Sequence, residues 1–191
     1  MNVLSIDIDY AFSPTISLYD DFIVGSRIDY EEQQNILKVN NCCSPKLNKK
    51  KFKKLKKILK NFKNTSVVTI EHHHEIINHI FSFKNLHIQN IDHHHDIFYP
   101  GWHDLELLDE GNWVYHLSKL DKLKRYDWFR NKDSENFCNS IDLNFEFKEY
   151  FDLKVNYLLK PDIIFLCSSP HWTSDINNLL TNKLLKVHNE N

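Results

Sequence analysis

Leu86-His87-Ile88-Gln89-Asn90-Ile91, followed without a break by Asp92-His93-His94-His95-Asp96, is the stretch that decides the fold class. Its first six residues have the length and apolar content of a buried strand, and its last five are acids and imidazoles. The same pattern recurs on both sides of it. Upstream, Ser66-Val67-Val68-Thr69-Ile70 leads into Glu71-His72-His73-His74-Glu75. Further upstream, Val3-Leu4-Ser5-Ile6-Asp7-Ile8-Asp9-Tyr10 reads as a strand carrying Asp7-x-Asp9, closed by Ser13-Pro14. Downstream, Pro161-Asp162-Ile163-Ile164-Phe165-Leu166-Cys167 leads into Ser168-Ser169-Pro170-His171-Trp172. A further strand is expected at 126–130.

Between these strands the periodicity turns helical. Phe52, Leu55, Leu59 and Phe62 fall at i, i+3, i+7 and i+10 within residues 46–63, a stretch with ten lysines. Ser44 and Pro45 read as its N-cap and first helical residue. Helices are also expected at 30–38, 75–83, 106–123 and 174–188, the last capped by Ser174 or Thr173. Apolar strands alternating with helices predict an α/β protein with a mainly parallel sheet. Carboxyl ends of parallel strands open on one edge, where ligands bind, so the polar clusters are expected to share one cleft.

The 191 residues are expected to form one domain, 1–191, and 41% hydrophobic residues suffice for a full core. A formal charge of -2 gives no general case for nucleic acid or anionic membrane as a partner. No apolar run has the length of a membrane span, and the N-terminus lacks the basic region and cleavage site of a signal peptide. Cys42, Cys43, Cys138 and Cys167 form no C-x-x-C pair and no disulfide framework. A cytoplasmic protein is expected. The lysine-rich helix is expected to be a solvated face over a core-facing stripe, its sharper reading being a dock for an acidic peptide.

Histidine is the outlier, with twelve residues, six of them in the two triplets. On extended chain, Asp7 and Asp9 would share one side, as would Asp92, His94 and Asp96. Carboxylates and imidazoles without thiolate suit Mn, Fe or Zn. Asp7, Asp9, Asp92 and Asp96 carry four negative charges, which two divalent cations would balance, and clustered carboxylates without metal would repel one another.

Ile91-Asp92-His93-His94-His95-Asp96 resembles the Asp-Ala-His-x-Asp motif of the ureohydrolases, the arginase and agmatinase superfamily. Ser5-Ile6-Asp7-Ile8-Asp9 resembles their Ser-x-Asp-x-Asp motif, and 71–75 stands where they carry Gly-Gly-Asp-His-Ser, with His73 matching the metal-binding His. The order, with Asp-x-Asp first, is similar to that of a short ureohydrolase-like group that includes the peptide arginases of ribosomal peptide biosynthesis. The resemblance implies a three-layer arginase-like fold, a mainly parallel sheet flanked by helices. It implies two Mn²⁺ ions held by Asp7, Asp9, His73, Asp92, His94 and Asp96. It further implies an arginine-containing precursor peptide as partner, its arginine side chains hydrolysed to ornithine and urea by a metal-bridging hydroxide.

Gly111-Asn112 resembles an arginase Gly-Asn segment, which makes Asn112 a substrate contact. His116 stands in for the proton-shuttling His, and His171 is a second candidate acid. The Gly-Gly before the metal-binding His is replaced by Ile70-Glu71, and Phe12 stands near the place of a third acid. Glu71 and Glu75 are the candidate carboxylates for the guanidinium, Glu71 in a catalytic role and Glu75 in binding. Ser169 is expected to line the cleft and touch substrate, and Trp102, Trp113 and Trp172 are candidates for its entrance. Two rivals accompany this reading: another two-metal hydrolase, acting on phosphoesters or free guanidino compounds, and a non-enzymatic His-rich metal-binding protein.

Overall fold

Asn2–Asp7 forms β1, the strand around which the rest is arranged. Its side chains alternate between two cores: Leu4 and Ile6 enter one, and Val3 enters the other. Ser5 and Asp7 therefore share Val3's face. The computed structural model describes residues 1–13, 46–99, 106–134, 136–137, 142–170, 172–173 and 176–190. The helix expected at 30–38, together with Cys42, Cys43, Cys138, Trp102, His171 and Ser174, lies outside the described residues.

The main sheet adds β4 (Ser66–Ile70), β5 (Leu86–Ile91), β6 (Leu123–Phe129), β7 (Glu146–Tyr150) and β8 (Ile163–Cys167). Its order is β4-β8-β1-β5-β6-β7, and every pairing is parallel. Two short antiparallel strands, β2 (Phe12–Ser13) and β3 (Lys46–Leu47), pair separately. The chain is thus an α/β protein with a six-stranded parallel sheet.

Among the described residues, four helices cover the sheet. α1 (Lys49–Asn61) and α4 (Asn177–Asn189) bury Phe52, Leu55, Ile58, Leu59, Leu180 and Leu184 against the Leu4/Ile6 face. α2 (Ile76–Ile80) and α3 (Trp113–Lys119) bury Ile76, Ile77, Ile80, Trp113, Val114 and Leu117 on the Val3 face. No helix among the described residues is long and apolar enough to cross a membrane.

Several expected boundaries move, each for a local reason. β1 stops at Asp7, whose side chain accepts the Asp9 N–H and caps a 3₁₀ turn over Ile8–Ala11; the chain is not extended through Tyr10. α1 begins after Asn48, not Ser44, because the Asn48 side chain accepts from the N–H groups of Lys50 and Lys51. The helix expected over 106–123 is only α3, since Leu123 already belongs to β6. The helix expected at 75–83 is a 3₁₀ turn at His73–Glu75 and then α2. Thr173 does not cap α4; its hydroxyl donates back to the carbonyls of Ser168 and Ser169.

Candidate metal centre

Four neighbouring strands, β4, β8, β1 and β5, deliver polar residues to one edge at their carboxyl ends. β1 ends on Asp7, β4 leads through Glu71 to His73, β5 leads to Asp92, and β8 leads to Ser168 and Ser169. After β1 the chain goes to one side for β4 and to the other for β5, so this edge contains the point where a parallel sheet opens a crevice.

Two buried groups form there, Asp7 with His73 and Asp92, and Asp9 with Asp92 and His94. Asp92 belongs to both. Its Oδ2 lies 3.0 Å from His73 Nδ1, and its Oδ1 lies 3.9 Å from His94 Nδ1. His73 Nδ1 also faces Asp96 Oδ2 at 2.7 Å and Asp7 Oδ2 at 3.4 Å. A single ring nitrogen has one proton at most, so it cannot donate to three carboxylates. Three carboxylate oxygens around one imidazole nitrogen are a donor set that could hold a metal ion.

The second group shows the same feature from the carboxylate side. Asp9 Oδ2 lies 2.8 Å from His94 Nδ1, yet this buried oxygen makes no hydrogen bond with proper direction. Two lone-pair donors that approach without a hydrogen bond fit ligation of a common ion. The donor set is oxygen and nitrogen throughout. Burial, with Asp7 adding to it, pushes the Cys167 thiol well up.

Asp9 and the Asp92–Asp96 segment reach the site without the extended-chain alternation expected of them. Asp9 sits in the 3₁₀ turn, and β5 ends at Ile91. The bends beyond β5 are held by side chains: Asp92 Oδ1 accepts the His94 N–H at 2.8 Å, and Asp9 Oδ1 accepts the His93 N–H at 3.2 Å. Asp96 takes a left-handed conformation, φ 52°, which turns it back toward His73.

Surrounding groups fix the ligands. Ser5 Oγ meets His73 Nε2 at 2.5 Å, which leaves Nδ1 directed at the carboxylates. Asn90 Nδ2 donates to Asp92 Oδ2 at 3.0 Å, and Trp113 Nε1 donates to Asp96 Oδ2 at 2.8 Å. The Ser169 hydroxyl donates to Asp7 Oδ2. Ser5 was legible as the residue two before Asp7 on one strand face. Asn90 has the same relation to Asp92, while nothing in the sequence marked Trp113 as a partner of Asp96.

The electrostatics follow from burying four acids together. Burial raises the Asp7 and Asp9 carboxyls; Asp9 and Asp92 push Asp7 up further, and Asp92 does so to Asp9. Burial, then Asp96, raises Asp92. For His94 burial acts downward, but Asp9, Asp92 and Asp96 outweigh it and hold the imidazole at about 10. His73 is likewise held well above the ordinary value, burial being outweighed by Asp96 and Asp92. Without metal, protons therefore supply the positive charge that this cluster requires. His93 behaves oppositely. Burial and then His94 push it down to about 3, and its Nδ1 faces Asn131 and Ser134.

The remaining expected residues are placed as follows. Glu75 accepts from the backbone N–H groups of Glu71 and His72, closing the loop after β4. The Glu71 side chain is exposed, and its carbonyl accepts the Ser169 N–H. Asn112 is buried, donating to Leu107 O and accepting from the Asp109 N–H, which shapes the loop before α3. His116 lies on α3 with a buried Nε2 that has no hydrogen-bond partner among the described residues. Trp113 is core, whereas half-buried Trp172 lies against His94 with ring centroids 4.5 Å apart. Glu110, which the sequence did not single out, meets His72 Nδ1 at 2.5 Å.

Taken together, the buried Asp and His groups could hold a metal ion. No protein-family model, curated protein or solved structure matches the chain.

Proposed function

We propose that this chain is a two-metal hydrolase of the ureohydrolase type, which converts arginine side chains in a peptide to ornithine. The observation that carries the proposal is Asp92, one carboxylate with an oxygen turned to each of two imidazoles, the buried His73 and the half-buried His94. Asp7, His73, Asp92 and Asp96 would hold one cation, and Asp9, Asp92 and His94 the other. Manganese is the ion the motif resemblance implies. When bound, two such ions supply Lewis acidity and lower the pKa of a water toward neutrality.

The chain's own residues then have defined tasks. Ser5, Asn90, Trp113 and Ser169 hold the ligands in place, so that little reorganisation accompanies reaction. Trp172 packs beside His94, with ring centroids 4.5 Å apart. In the overall step, water adds to the guanidinium carbon and the bond from that carbon to the side-chain Nε breaks. The nitrogen leaves with a proton as the ornithine amine, and the carbon leaves as urea. His116 is the described residue assigned to move that proton.

The test is mass spectrometry of an arginine-containing peptide incubated with Mn²⁺-loaded protein. The expected outcome is loss of CH₂N₂ per arginine with one urea released, abolished by chelator and by Asp92→Asn. No mass change on peptides or on free guanidino compounds, with two ions bound, would overturn the arginase reading. Turnover of a phosphodiester instead would favour the phosphoesterase.

A further inference from the structure

We propose that the outer face of α1 is the docking surface for an acidic segment of the peptide substrate, an inference that rests on the peptide-hydrolase reading. Residues 46–63 hold ten lysines and no acid, so all 26 Asp and Glu residues lie elsewhere in the chain. The helix divides sharply. Phe52, Leu55, Leu59 and Phe62 are buried, whereas Lys50, Lys53, Lys57 and Lys60 are exposed and follow the same i, i+3, i+7, i+10 spacing, two residues out of phase. At 100° per residue that offset puts the lysines opposite the core.

Little within the described protein neutralises this stripe. Among the described residues, only Lys51 and Lys54 of α1 have acidic partners, Asp133 at 3.9 Å and Asp152 at 3.5 Å. Its position relative to the metal centre is also informative. The Asn48 N–H just before α1 donates to Ala11 O at 2.8 Å, and Lys51 lies over the Tyr10 ring. Ala11 and Tyr10 belong to the same 3₁₀ turn as Asp9. The stripe therefore starts beside the turn that carries a proposed metal ligand and runs for about 15 Å along the helix.

The chemistry favours carboxylates over other polyanions. The stretch has no arginine, the residue suited to bidentate phosphate contact. Its apolar side chains face inward, which leaves nothing to insert into a membrane interface. Flexible ammonium groups at helical spacing match acidic side chains spread along an extended peptide.

The experiment uses full-length protein and fluorescently labelled peptides without arginine, so that binding is read apart from catalysis. A peptide with several Glu and Asp residues and a Gln-substituted control are compared by anisotropy at low and high salt. The acidic peptide is expected to bind and to weaken with salt, and the control is not. Lys50→Glu/Lys53→Glu/Lys57→Glu, its fold checked by circular dichroism, is expected to bind at least about tenfold more weakly, as several surface charges acting together would give. Urea release from a short uncharged-flank arginine peptide should be unchanged in this variant. Equal binding by the variant, or binding of anionic vesicles or RNA but not of the acidic peptide, overturns the docking assignment. Failure of urea release from every arginine peptide, with salt-dependent binding intact, overturns the hydrolase reading alone.

Discussion

Asp92 is the one residue common to both ligand groups, and its loss should differ in kind from the loss of a neighbour. Replacing Asp92 with Asn weakens both sites, whereas Asp9→Asn touches only the His94 side. After equilibration with Mn²⁺ and desalting, metal analysis is expected to find two ions per wild-type chain, about one in Asp9→Asn and well below one in Asp92→Asn. Equal losses in the two variants would contradict the shared role. Ser5→Ala tests the support for His73. With the imidazole free to rotate or change tautomer, metal affinity is expected to fall by about 10–100-fold, read by competition with a chelating dye. At this scale the clustering of these acids and imidazoles was legible, because acids and imidazoles that end apolar strands have few structural uses. The contact from Trp113 was not, because Trp113 lies 17 residues after Asp96 and meets it only through the fold.

At the scale of elements, β4 and β5 were readable to the residue, since continuous apolar runs between polar clusters leave little choice. Helix ends were less legible. A Ser-Pro start and an Asn-Lys start are both good helix openings, and only the tertiary contact from Asn48 to Ala11 selects the second. Asn48→Ala is expected to cost about 0.5–2 kcal/mol in a urea denaturation series. β7 escaped notice because it is an edge strand whose burial pattern never reaches a full core. Between β5 and β6, Asp127 meets His87 at 2.8 Å and Arg125 at 2.9 Å. Burial acts upward on its carboxyl, but His87 and Arg125 prevail and hold it below the ordinary value. A carboxyl lowered in the folded state adds stability above its unfolded pKa of about 3.9, and loses it as pH falls through the folded one. The penalty of Asp127→Asn, about 1–3 kcal/mol near neutrality, should therefore stay level down to about pH 5 and shrink below about pH 4. Denaturation curves of both proteins across that range check it.

For the whole molecule, the fold class followed from the repeated alternation of apolar strand and helical pattern, but the strand order did not. Nothing in the sequence places β8 between β4 and β1; that is decided by which faces α1 and α4 must cover together. Under the proposed metal reading, four carboxylates confined in a buried edge should also tie global stability to bound cations. Mn²⁺ at roughly 100 times its Kd would add about 2.7 kcal/mol, which for a chain of this size raises Tm by about 5–10 °C. Differential scanning fluorimetry with metal and with chelator measures the shift, and an unchanged Tm would argue against binding at the Asp92 cluster.

The place of β8 also gives the chain an order of assembly. Until Ile163–Cys167 has been synthesised, β1 and β4 have no strand between them, and each leaves an unpaired edge. Asp7 and His73, on opposite sides of that gap, come within reach of one another only when the strand arrives. During synthesis the Asp7–His73 half of the proposed cation site is thus completed late, although both residues lie well before β8 in the chain. A nascent chain stalled before β8 would carry all the proposed ligands, yet lack the strand that sets His73 beside Asp7.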